Sequence, residues 1–219
     1  MQSADNIGLM KGVKDVMIKL RMNKRALSQV VTTLIILVVA VLLASVVVFY
    51  AINVVSTRVQ DESLSLTVEH IWVNSSATIG TPSYTVAGLM VSNTGGRDVV
   101  LQNIAVRGQQ CPWNSTTDPT NQKFVLYCTL NASIQSDLVY VPNFNYNSGT
   151  NDVVISGTQY NFTVANNDLV LKSGNTMLVY IVNPDSIRVN DVGITTSIAV
   201  HTADAVYYTE VNIEAVASS

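Results

Sequence analysis

Two histidines, two cysteines and a scatter of carboxylates are the residues of this 219-residue chain with chemistry to offer. Their spacing offers little for them to do together. His70 and His201 each fall inside an alternating segment that reads as a strand. The two could meet across a sheet, but a metal site wants a third or fourth ligand. Asp98, Asp118, Asp137, Asp152, Asp168, Asp185 and Asp191 stand singly. No Asp/Asn-dense loop closes on a Glu as a calcium loop does, which leaves at most one cation site between loops. Gly95-Gly96 follows one strand candidate and precedes another, which describes a turn and not a phosphate cradle. No nucleophile stands beside a base. The expectation is a protein that is not an enzyme and holds no metal or cofactor.

The element that organises the chain lies near its start. From Ala26 through Thr57 no charged residue occurs in 32 positions. As a helix this run is about 48 Å long at roughly 1.5 Å per residue, more than the roughly 20 residues that cross a bilayer core. Val, Ile and Thr dominate it, and these are weak helix formers in water. In lipid or a helical bundle the backbone must satisfy itself, and helix is the single-segment solution. With no polar face, the helix must be buried all round, in lipid or against copies of itself.

Charge is divided unevenly. Before Leu27 stand six basic residues (Lys11, Lys14, Lys19, Arg21, Lys24, Arg25) against Asp5 and Asp15. After it stand six basic and thirteen acidic residues, a net of −7. A basic leader before an apolar run puts the N-terminus in the cytoplasm and the remainder outside. The acidic exterior argues against a nucleic-acid partner. Residues 1–26 have weak amphipathic character, with Val13, Val16, Met17 and Leu20 among lysines. This reads either as a short surface helix or as a removable leader. The apolar run exceeds a secretory h-region, and no A-x-A site follows it. In an external domain an even cysteine count favours a disulfide between Cys111 and Cys128. It would close 16 intervening residues and contribute about 3 kcal/mol; two unbridged buried thiols are the alternative.

The opening Lys24-Arg25-Ala26-Leu27-Ser28-Gln29 resembles the class III signal of archaeal type IV pilins and their relatives. A basic pair and a small residue precede a long apolar helix. The resemblance implies cleavage between Ala26 and Leu27 by a prepilin peptidase on the cytoplasmic side. The mature chain then begins with its apolar helix and keeps it, first as a membrane anchor and then as a filament core. Bacterial members usually carry Gly before the cut and Glu at the fifth mature position. Here Ala26 and Val31 stand there, which favours the archaeal branch. Val30, Val31, Leu34, Leu37, Val41, Leu42, Val48 and Phe49 are the expected core contacts between copies. Ala40, Ala44, Ser45 and Ala51 would permit close approach.

After Asn53–Glu62, a neck where Arg58, Asp61 and Glu62 arrive together, the pattern changes to period two. Strands are expected at 63–73, 84–92, 99–106, 123–129, 137–141, 152–155, 160–164, 169–171, 177–182, 194–201 and 206–213, with turn residues between. Asn93-Thr94-Gly95-Gly96-Arg97-Asp98 is a turn cluster. Leu89–Leu101 around it looks like a strand–turn–strand of archaeal surface domains and pilin heads, a likeness of fold alone. The fold class expected is α+β: one long N-terminal apolar helix, then an all-β, immunoglobulin-like antiparallel sandwich head. The domains would be leader 1–26, helix 27–57, neck 58–62 and extracellular head 63–219. Four sequons, at Asn74, Asn114, Asn131 and Asn161, are competent acceptors for N-linked glycans.

The leading expectation is a pilin, a structural subunit that polymerises into an extracellular type IV pilus-like filament, with surface adhesion as its role. Its partners would be itself, the membrane before assembly, the peptidase and the pilus assembly machinery. A head-to-tail contact that does not close yields such a filament. One alternative is an uncleaved single-pass protein displaying an external β-domain to a ligand or partner; a second is an archaellum filament subunit.

Overall fold

The computed structural model describes residues 4–59, 61–76, 84–115, 122–148, 150–184 and 186–217, with helix side chains described for 12–17 and 27–57. The chain divides into two compact units, Met1–Thr57 and Arg58–Ser219. A single helix, α1 (Ala4–Val59), runs through the basic leader and the apolar stretch without a break. No Gly or Pro interrupts it after Gly12. Its hydroxyls turn back on the preceding turn: Thr32 Oγ1 donates to Ser28 O at 2.8 Å and Ser45 Oγ to Val41 O at 2.8 Å. Thr33 and Thr57 do likewise. Satisfying these four hydroxyls locally lowers the cost of placing them on an otherwise apolar helix surface.

The second unit is a β-domain. Its strands are β1 (Leu64–Asn74), β2 (Thr85–Asn93), β3 (Val99–Val106), β4 (Gln109–Cys111), β5 (Asn114–Ser115) and β6 (Lys123–Leu130). They continue with β7 (Thr150–Ile155), β8 (Thr158–Val164), β9 (Leu169–Leu171), β10 (Thr176–Val182), β11 (Thr195–Thr202) and β12 (Val206–Val216). The hydrogen-bonded order is β4-β3-β11-β12-β1-β2-β10-β6-β8-β7, with β5 on β6 and β9 on β3. One pair is parallel: β1 lies along β12, Ile71 opposite Ile213 and Val73 opposite Ala215. The sheet is therefore mixed, where period-two patterning suggested an antiparallel one. Alternation dictates which residues face inward, and it is silent on a strand's partner.

Two apolar cores follow from the two faces of this sheet. The inner core joins Ile71, Val73, Leu89, Val91, Met177, Val179 and Ile181 to Leu101, Ile104, Ile198, Val200, Val211 and Ile213 from the β3–β11–β12 half. The second core, on the other face of β1, β2, β10 and β6, holds Trp72, Met90, Leu126, Leu178 and Tyr180 with Leu138, Phe144, Val153 and Phe162. β10 is buried along its whole length, as expected of a strand covered on both faces.

One irregularity keeps the inner core in register. β1 pairs Thr67 with Met90 but His70 with Gly88, so one extra residue is inserted. Val68 absorbs it at φ +55°, an uncommon conformation for a β-branched residue. Without this bulge Leu64 and Leu66 would face the opposite side of the sheet from Ile71 and Val73. Gly88 meets a different need. A side chain there would lie 3.0 Å from Leu138 Cδ1 and 3.2 Å from the rings of Trp72 and Tyr180. Glycine lets those groups close over the strand.

Two further expectations are corrected. Residues 137–141 form no strand; this segment crosses the second core irregularly, and Tyr180 holds it. The Tyr180 hydroxyl donates to Val139 O at 2.8 Å and accepts from Val139 N at 3.3 Å. Nor does a disulfide join Cys111 and Cys128. Cys111 belongs to the inner core, whereas Cys128 follows Phe124 and Leu126 on the opposite face of β6. Strand parity places the two thiols on different sides of the sheet.

Candidate functional site: the apolar helix and the neck of the β-domain

The apolar part of α1, Leu27–Thr57, spans 31 residues; an 18-residue window within it has a mean hydropathy of 3.1, and none of the stretch is buried. It is long and apolar enough to cross a membrane. All eight expected contact residues are exposed, from Val31 at 48% to Phe49 at 71%. At about 100° per residue they form two stripes. Val30, Leu34, Leu37, Val41 and Val48 share one; Val31, Leu42 and Phe49 share the next. Ala44 and Ser45 leave a shallow notch between Val41, Val48, Phe49 and Ile52, the kind of gap that admits a neighbouring helix closely. Of the expected cleavage residues, Leu27 is 71% exposed. Lys24, Arg25 and Ala26 lie within the helix, and their side chains fall outside the described residues.

Where the chain enters the β-domain, the short segment Asp61–Ser63 is held by the Asn93–Asp98 turn. Thr94 N and Gly95 N donate to Ser63 O at 2.9 and 3.1 Å, and Gly96 N donates to Asp61 O at 3.3 Å. The Glu62 side chain is only 8% exposed. It accepts from Arg97 at 3.1 Å and from the Thr202 hydroxyl, while Arg97 also pairs with Asp204. The Tyr207 hydroxyl donates to Glu62 O at 3.2 Å. Burial first, and the Glu62 carboxylate second, push the Tyr207 phenol up. The turn is braced from within: Asn93 Nδ2 donates to Arg97 O and Leu171 O, and its Oδ1 accepts from Gly95 N. Sequence reasoning saw this turn but not its partner, which lies 31 residues upstream of Thr94 at Ser63. The available signal was the Gly95-Gly96 pair itself: at Gly95 a Cβ would collide with Asp61 O and Ser63 N, so a glycine there marks close approach of another backbone.

The remaining candidates are dispersed. His70 stacks on Trp72 at 5.0 Å, with Nδ1 3.5 Å from Glu214. His201 pairs with Val206, whereas Ile71 pairs with Ile213. The two imidazoles are thus offset by about six residues, roughly 20 Å along the strands, and do not meet. Among the described residues no group of three or more His, Cys, Asp or Glu converges. Asn74 is 5% exposed, its carboxamide accepting from Ser76 N at 3.0 Å and hydrogen-bonding Tyr140. Asn131 and Asn161 are exposed. Asn114 lies in β5, its side chain outside the described residues. No protein-family model matches the chain, and no curated protein matches it.

Proposed function

We propose that the chain is a structural subunit of the pilin kind, working by assembly rather than turnover. The observation that carries this reading is the 31-residue apolar stretch of α1 with none of it buried, directly preceded by Lys24-Arg25-Ala26. A surface so large and so free of charge needs lipid or other helices around it. In this reading the precursor is inserted in the cell membrane, with its basic leader in the cytoplasm and its acidic β-domain outside. A prepilin peptidase removes residues 1–26. Assembly machinery then transfers the helix from lipid to a bundle of its own copies. Lipid contacts are exchanged for helix contacts, so close packing at the Ala44–Ser45 notch supplies the gain. The β-domains form a sandwich-like outer layer, glycosylated and adhesive.

A single-pass anchor would use the same helix, and a bulky apolar substitution separates the two readings. Ala44→Trp keeps the helix apolar enough to insert but fills the notch. The expected result is filaments in the surface-sheared fraction from the parent chain, seen by electron microscopy, and a variant that stays in the membrane without filaments. Equal recovery of parent and variant in detergent-extracted membrane, with no filaments from either, would favour the anchor.

A further inference from the structure

We propose that the Asn93–Asp98 turn is a latch that grips the segment Asp61–Ser63 and fixes where the chain enters the β-domain. Four kinds of contact converge on three residues. Backbone donors of Thr94, Gly95 and Gly96 take the carbonyls of Asp61 and Ser63. The Ser63 and Thr94 hydroxyls meet at 2.9 Å. The largely buried Glu62 carboxylate is tied to Arg97 and Thr202, and its carbonyl to Tyr207. Gly95 makes the grip possible: a Cβ there would sit 2.6 Å from Asp61 O and 2.7 Å from Ser63 N. Both are backbone atoms, which cannot swing aside as a flexible side chain can.

The turn is in turn anchored to the chain just before β10. Ser173 Oγ donates to Gly95 O at 2.6 Å and Ser173 N to Asp98 Oδ1 at 2.9 Å. Gly174 N donates to Asn93 O at 3.0 Å. The first ladder pair of β1 is Leu64 with Asn93, so the latch extends the β1–β2 pairing backward by three residues.

The covalent connection between the two units runs through residues 58–63. Tension arriving from the helix therefore meets the latch before it reaches β1. That mechanical purpose rests on the filament reading, but the latch itself does not, and the two fail separately.

Glu62 is its own reporter, because a glutamyl endopeptidase cuts after it only when the segment is released. Cleavage of a folded protein tracks the population of the locally opened form. The experiment digests the full chain in detergent micelles and follows by mass the β-domain fragment beginning at Ser63. The parent chain is expected to resist at Glu62. Gly95→Val is expected to be cut there at least about tenfold faster, with Glu69, Glu210 and Glu214 still protected. Equal rates at Glu62 in parent and variant, with the domain folded, overturn the latch. If Gly95→Val exposes every site and so fails to fold, Arg97→Met decides. It removes the guanidinium from Glu62 and Asp204 without adding bulk at Gly95, and must accelerate the Glu62 cut selectively. No acceleration in that variant also overturns the proposal.

Discussion

Replacing Tyr180 with Phe removes one oxygen from the centre of the second core and nothing else. The ring is fully buried and packs against Phe144 at 5.0 Å and Phe162 at 5.1 Å; Tyr180→Phe retains all of that contact. What is lost is the clamp on Val139, a donated bond of 2.8 Å and an accepted one of 3.3 Å. Val139 is 38% exposed, so water can replace part of what its backbone loses. The cost is then about 1–2 kcal/mol, which lowers Tm by about 2–8 °C for a domain of this size.

The pH dependence supplies a second readout. Burial pushes the Tyr180 phenol up, against a smaller opposing effect of its bond to Val139. The native state holds this proton while the unfolded chain releases it near the ordinary tyrosine value of about 10. The hydroxyl's contribution is therefore complete below about pH 10 and declines as pH rises beyond it. Thermal melts of the parent and Tyr180→Phe from pH 7 to 11 should show a gap that narrows above about pH 10. A gap under about 0.5 kcal/mol at pH 7, or one that stays constant to pH 11, would refute the reasoning.

Three further outcomes are expected. Gly88→Ala should destabilise the β-domain by about 1–3 kcal/mol, measured by denaturant unfolding, because its methyl meets Leu138, Trp72 and Tyr180 at 3.0–3.2 Å. Glycopeptide mass spectrometry should find glycan at Asn131 and Asn161 but not at Asn74, whose carboxamide is buried and hydrogen-bonded. Dithiothreitol should leave the melting temperature unchanged, and the non-reduced intact mass should be that of the dithiol, since Cys111 and Cys128 occupy opposite faces of the sheet.

The helix was legible because 32 positions without charge have few physical solutions. Most strands were legible because burial of one face imposes period two. Neither signal names a neighbour, so the parallel pairing of β1 with β12 was hidden. The Val68 bulge left a trace that was passed over: apolar residues fall on even positions at Leu64, Leu66 and Val68 and on odd ones at Ile71 and Val73, and pairing with β2 shows where the extra residue sits. The cysteines misled because count and compartment say nothing of strand parity. Residues 137–141 are apolar enough to read as a strand but are held by side chains: the Tyr180 hydroxyl on Val139, Asn74 on Tyr140, and Leu138 in the second core. Gly88, alone in an apolar strand, was a readable sign of close approach that patterning passed over. Contacts of the neck depend on residues far apart in sequence, Glu62 with Arg97, Thr202 and Tyr207 and Arg97 with Asp204, and no local pattern joins them.

The central claim is that the apolar helix becomes the start of a mature, assembling subunit. Intact mass and N-terminal sequencing of the protein sheared from the cell surface test it most directly. The account predicts a chain that begins at Leu27, with glycan mass added. A chain that begins at Met1, recovered only from detergent-extracted membrane, would contradict it.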